Sequence, residues 1–346
     1  MKCSIAWTSF LLAIFAFVIS FVPFASAQDQ PIPISAIDFF GYGGMDVSKV
    51  QAALPVHVGE KFASIQEAAD SSSKIKAAIL QATGKQATNV ATVEIEGALL
   101  IYIGLPGNTM KPFPLNPVPT GSVHLPADVV DLYQQTMDAW QKSVAAGATD
   151  DESNGYALSS YPDLHAKELA MHDYALQHED LIRDVLASSA DAKQRSIAAE
   201  LLGYAKQSRG QIDALVAASH DADFGVRNNA VRALGVLAES QASVAAEIPA
   251  ETFIEMLNSE KWTDRNKAGW VMDSLTKSRD PRVLAELRSQ DLDSLIEMAK
   301  WHDAGHAATF RILLGRIGGI DEEHLQKMAG DGNQVDAIIS AAQNAK

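Results

Sequence analysis

Four stretches of this chain align in register. One column reads Arg195, Arg227, Arg265 and Ala307. Three residues on comes Ala198, Ala230, Ala268 and Phe310, and seven on comes Leu202, Leu234, Met272 and Leu314. The next position is Gly203, Gly235, Asp273 and Gly315. The units step by 32, 38 and 42 residues, and the last step recurs upstream between Phe253–Met256 and Leu295–Met298. A period of this length with two amphipathic helices per unit specifies an α-solenoid. No unit can bury its apolar face alone, so stacking has to supply the core. The alanine and glycine columns let neighbouring helices approach closely. Asp191 and Asp223 each lie four residues before a column arginine, where they are expected to bond across the turn and onto the next unit. Lys261 stands at that place in the third unit, which leaves the ladder incomplete.

Upstream the pattern changes. Residues 28–107 alternate between strand-like and helical runs: an apolar run ending at Gly41–Gly44, a short helix capped by Asp46, and a helical stretch over 64–81 stopped by Gly84. Two strand-like runs follow, 89–96 and 98–105, joined at Gly97 as a tight hairpin. After Pro106, prolines 112, 114, 117, 119 and 126 crowd residues 108–127, which reads as a stiff linker or extended arm. From Asp128 onward the signal is helical throughout. Helices are expected over 128–145 and, with Pro162 in the first turn, over about 162–186.

The columns from Asp223 through Val226, Arg227, Ala230 and Leu234 to Gly235 resemble HEAT repeats of the short bacterial type, over about residues 175–330. Residues 28–107 resemble a POTRA domain in element order, β-α-α-β-β, with landmarks at Ile37–Gly41, Val50–Leu54, Val58–Phe62 and Ile101–Ile103. The whole chain is similar to exported bacterial HEAT-repeat proteins (PBS-lyase-type, HEAT-like) that carry no assigned activity. The resemblance implies a mainly α fold, a HEAT-type solenoid over 128–346 preceded by a small α+β domain.

Residues 1–27 have the order of a secretory signal. Lys2 precedes an apolar run from Ile5 to Phe24, and Ala25-Ser26-Ala27 gives a small-x-small site with Gln28 as the new N-terminus. The expected location is therefore exported, periplasmic or secreted, with no stable membrane insertion after cleavage. The single cysteine, Cys3, would leave with the signal, so thiol chemistry and disulfides are excluded from the mature chain. The formal net charge of −15 argues against nucleic-acid binding by phosphate neutralisation.

No catalytic constellation emerges. His302 and His306 have the spacing of two metal ligands, but the glutamate of the metalloprotease motif is missing and Gly305 interrupts the pair. His165, His172 and His178 share one helical stretch without carboxylate or cysteine company, and His178-Glu179 is the one His-Glu pair. No metal, cofactor or enzyme activity is expected. The expected function is a scaffold that offers a groove to a protein or peptide partner. The alternatives are an envelope or outer-membrane assembly factor acting through the POTRA-like domain, whose sheet edge would accept a strand, and a lyase-like HEAT enzyme. In each second helix, the position five after the column arginine should face away from the core. Across the repeats it reads Glu200, Arg232, Trp270 and Ile312, with a companion column of Ser196, Asn228, Asn266 and Ala308. These are expected to line a concave surface, with Asn228, Arg232, Asn266, Trp270 and Ile312 contacting the partner, unless the C-terminal helix covers Trp270 and Ile312 as a cap.

Overall fold

The computed structural model describes residues 31–345, so Cys3, Ala25, Ala27 and Gln28 lie outside the described residues. The first elements are β1 (Ile32–Phe40), α1 (Val47–Ala53), β2 (Lys61–Phe62), α2 (Ile65–Asp70), α3 (Ser72–Thr83), β3 (Asn89–Ile95) and β4 (Ala98–Gly104). They form a four-stranded sheet in the order β2-β1-β4-β3, with β1 parallel to β4 and the other pairs antiparallel. Asp46 caps α1 by accepting from the Ser48 and Lys49 N–H groups. The stretch read as one helix over 64–81 divides at Ser71 into α2 and α3. Glu96 and Gly97 both have positive φ, 51° and 76°, which suits a two-residue turn to the twist of its strands. Strand β4 is buried on both faces. Leu99, Ile101 and Ile103 pack against α1 and α3 together with Val50, Ile75 and Ile79, while Leu100 and Tyr102 belong to the solenoid's core. Its unbroken apolar sequence follows from that double burial.

The remaining elements are α4 (Ala127–Ala145), β5 (Asp150–Asp151), β6 (Leu158–Ser159), α5 (Pro162–Ser188), α6 (Ala192–Gly203), α7 (Arg209–Ala218), α8 (Phe224–Ser240), α9 (Ala242–Ala245), α10 (Ala250–Met256), α11 (Trp262–Thr276), α12 (Pro281–Ala299), α13 (Ala304–Ile317), α14 (Glu322–Ala329) and α15 (Val335–Asn344). The β5–β6 hairpin, two residues a side, corrects the expectation of helix alone after residue 128. Its Asp150-Asp151 strand is exposed and carries no hydrophobic alternation. Helices α5, α7, α10 and α12 each pair with the following α6, α8, α11 and α13, and these second helices stack on one another in sequence. This is a helical repeat solenoid. The glycine columns sit at its tightest crossings: a Cβ on Gly203 would lie 2.9 Å from that of Ala233, one on Gly235 would strike the Trp270 ring, and one on Gly315 would strike Leu325.

The ladder between repeats runs through different acids from those expected. Arg195 donates from Nε and Nη2 to both carboxylate oxygens of Asp221, at 2.7 and 2.8 Å. Arg227 binds Asp264 in the same manner, both contacts at 3.1 Å. All four side chains are buried. Asp191 and Asp223 are instead helix caps, accepting the N–H groups of Lys193 and Gln194 and of Gly225 and Val226. The reason is geometric: a residue in the N-cap position points its carboxylate at its own first turn. Arg265, the third member, has no carboxylate in its bonds. It donates to the carbonyls of Ser259, Asn258 and Thr109, and its guanidinium lies 5.0 Å from the centre of the Phe40 ring.

Thr109 belongs to the proline-rich segment, which follows the solenoid's loop edge. The N–H groups of Lys111, Asn116 and Gly121 donate to the carbonyls of Asn258, His220 and Ser188, at 2.9, 2.7 and 2.8 Å. These acceptors lie at the C-terminal ends of α10, α7 and α5, where helices leave carbonyls without partners. One bond every five residues therefore ties the arm to successive repeats, running against their order. Phe113 stacks on His220 with centroids 4.8 Å apart.

The sheet docks on the C-terminal repeats. Tyr102 stacks on Trp262 at 4.8 Å and 20°, and its hydroxyl lies 2.6 Å from His306 Nδ1. Trp301 donates from Nε1 to the Phe39 carbonyl, and Glu297 accepts from the Gly41 N–H and the Thr109 hydroxyl. The inner face of the sheet thus shares the solenoid's core, while its outer face is buried with α1 and α3 in a second cluster.

Candidate partner-binding face

The second helices α6, α8, α11 and α13 form the face on which the sequence places a binding surface. Glu200 and Arg232 occupy the same column in successive repeats and form an ion pair at 2.9 Å. Both are 8% exposed. Trp270, next in the column, rests on Gly235 and is half-buried, with the Lys267 ammonium 5.9 Å from its ring centre. Ile312 is 8% exposed and packs with Leu325 and Ala329. Its cover is α14, and not the C-terminal helix α15. Arg232 and Ile312 therefore do not stand open as expected. The first is held by a charge from the repeat before it, the second by Leu325 and Ala329, the buried edge of an otherwise polar helix laid across the solenoid's end. Asn228, Asn266 and Trp270 remain half-buried.

Several residues that pattern reading passed over complete this face. Glu168 of α5 is buried and accepts the Ser159 N–H at 2.6 Å; burial pushes its carboxyl up to about 7. Burial pushes the Lys267 ammonium down to about 8. Tyr133 and Trp140 of α4 and Tyr204 at the end of α6 stand over the Glu200–Arg232 pair. The available signal was the alternation of charge within one column, Glu200 then Arg232. The carboxylate at 168 carried none, because it sits in a helix read only for its apolar spacing.

The histidines do not converge. His302 Nδ1 lies 2.7 Å from Asp38 Oδ1, while His306 turns inward to Tyr102 and is pushed down to about 4 by burial. His165 Nδ1 meets the Ser159 carbonyl and His172 Nδ1 meets that of Tyr204. His178 marks a kink in α5, at φ −131°. Among the described residues no group of three or more metal-ligating side chains is placed to hold an ion, and no helix is long and apolar enough to cross a membrane.

No family model and no curated protein matches the chain. Among solved structures, an engineered protein is 14% identical with a TM-score of 0.36, the match covering 63% of this chain and 95% of that one. A designed armadillo repeat protein is 14% identical with a TM-score of 0.35, covering 53% and 93%. Another, in complex with the peptide (KR)4, is 14% identical with a TM-score of 0.33, covering 63% and 99%. The repeat architecture stands on the helix pairing described above.

Proposed function

We propose that this protein is an exported, non-enzymatic HEAT-repeat scaffold that binds a protein or peptide partner on the face of its second helices. The observation that carries this reading is that face itself: stacked helices in register, with Asn228, Asn266 and the half-buried Trp270 along it. Aromatic side chains that become fully desolvated dominate binding energies, and Trp270 has surface left to lose. The POTRA-like sheet is read as structural here, because Leu100 and Tyr102 on its inner face are committed to the solenoid. Trp270→Ala tests the proposal. It should weaken partner capture by about 2 kcal/mol or more while lowering the melting temperature little, since the ring fills no fully enclosed site. Unchanged capture with unchanged stability would contradict it.

A further inference from the structure

The chain itself covers part of this face. Gly147 ends α4 in the left-handed region at φ 66°, and residues 148–156 then pass the end of α6, where Tyr156 lies 6.0 Å from Tyr204 and Gln207 donates from Nε2 to the Asn154 carbonyl and to the Ser240 hydroxyl at the end of α8, both at 3.4 Å. The segment is tied by a bond from the Gly155 N–H to the Glu152 carbonyl, 3.0 Å, with Gly155 at φ 81°. Tyr156 lies flat on His172, centroids 4.2 Å apart at 17°. Glu152 is half-buried with Arg232 and Lys267 as the cations facing it, and Asp150 and Glu239 as the nearby carboxylates. Under α4, close to Arg232, lies a void of about 20 Å³, room for a single water.

The base of this hairpin is fixed, since Ala157 and Ser159 are buried and Glu168 holds the Ser159 N–H. The tip is held differently. Gly155 is buried against Gln207, but the rest of the tip meets polar and aromatic groups, its strand pairing is two residues long, and a glycine with no neighbour within 4 Å of its Cβ direction precedes it. Interfaces of this polar kind, unlike cores, are the ones that open.

We propose that residues 148–156 are a plug that fills the partner's place in cis. We infer that the partner is an acidic segment with an aromatic residue four positions after a carboxylate, matching Glu152 and Tyr156. The plug rests on the reading of this face as a binding surface. The partner's carboxylate takes the place of Glu152 beside Arg232 and Lys267, its ring takes the place of Tyr156 on His172, and the tip swings out about Gly147.

The test uses the full chain with residues 148–156 replaced by a glycine-serine segment of equal length, and a labelled synthetic peptide of residues 147–158 as the probe. Fluorescence anisotropy should show the peptide binding the replaced protein at least tenfold more tightly than the unmodified one. Peptides carrying Glu152→Gln or Tyr156→Ala should each bind at least tenfold more weakly. Equal binding to both proteins, or no binding to the folded replaced protein, overturns the proposal. If the replaced protein does not fold, hydrogen exchange on the unmodified chain decides. Amides 152–156 should then exchange at least tenfold faster than those of α6 and α8, and exchange in step with those helices overturns the plug. Neither measurement uses a native partner, so the plug can fail while partner capture through Trp270 stands, and the reverse.

Discussion

Asp221→Ala is the perturbation that separates the observed ladder from the expected one. The Asp221 carboxylate accepts two charge-assisted bonds from Arg195, 2.7 and 2.8 Å, and a third from the Asp223 N–H at 2.8 Å. Arg195 is 1% exposed, and without Asp221 its guanidinium keeps only the bond to the Ser189 carbonyl. Removing one partner of a buried pair costs about 3–5 kcal/mol, because a charge is left in the interior uncompensated. At about 2.1 cal/mol/K per residue, a folded chain of about 300 residues has an unfolding entropy near 0.6 kcal/mol/K, so the melting temperature should fall by about 5–8 °C. Asp223→Ala removes only a helix cap and should cost about 1 kcal/mol. The double variant Arg195→Met/Asp221→Leu should recover most of the loss, since an apolar pair of similar size carries no desolvation penalty. Urea denaturation followed by far-ultraviolet circular dichroism gives all three values. If Asp221→Ala costs no more than Asp223→Ala, the inter-repeat pair is not where the structure puts it.

Glu168 has a folded pKa raised by burial to about 7 from an ordinary 4.5, so its stabilising contribution is complete below pH 4.5 and is lost as pH rises to 7. Glu168→Gln should abolish that slope, and denaturation curves should show it gaining on the wild type by about 3 kcal/mol between pH 4.5 and 7. The arm should resist limited proteolysis, because its N–H groups are spent on three repeats; first cuts should fall within 148–156, and cleavage between 106 and 127 in folded protein would contradict the packing. The exported protein should begin at Gln28, and intact mass should show residues 1–27 missing; retention of the full-length species in membranes would contradict the signal reading.

The repeat was legible because stacking imposes the same small residues at the same crossings. Gly203, Gly235 and Gly315 are at the contacts their column implied. The sheet was legible from alternation and turn residues, with Asp46, Gly84 and Gly97 marking its boundaries. What sequence could not reveal is which repeat a buried charge would reach. Asp221 and Asp264 occupy different offsets from their arginines, 26 residues from Arg195 and 37 from Arg227, so no single spacing exposes them. The docking of the sheet was hidden for a related reason. Tyr102 and His306 are 204 residues apart, and nothing local links them. The apolar run of β4 was nevertheless a signal that both of its faces are covered. Where the arm lies was not legible, because prolines report stiffness and say nothing about where the intervening N–H groups of Lys111, Asn116 and Gly121 donate.

Site-specific photo-crosslinking in intact cells of the native host tests the proposed binding face most directly. A photoreactive residue at Asn266, beside Trp270, should give a discrete adduct, while the same residue at the exposed Leu176 on α5 should give none. An adduct from Leu176 and not from Asn266, or an Asn266 adduct in a protein carrying Trp270→Ala at undiminished yield, would contradict the account.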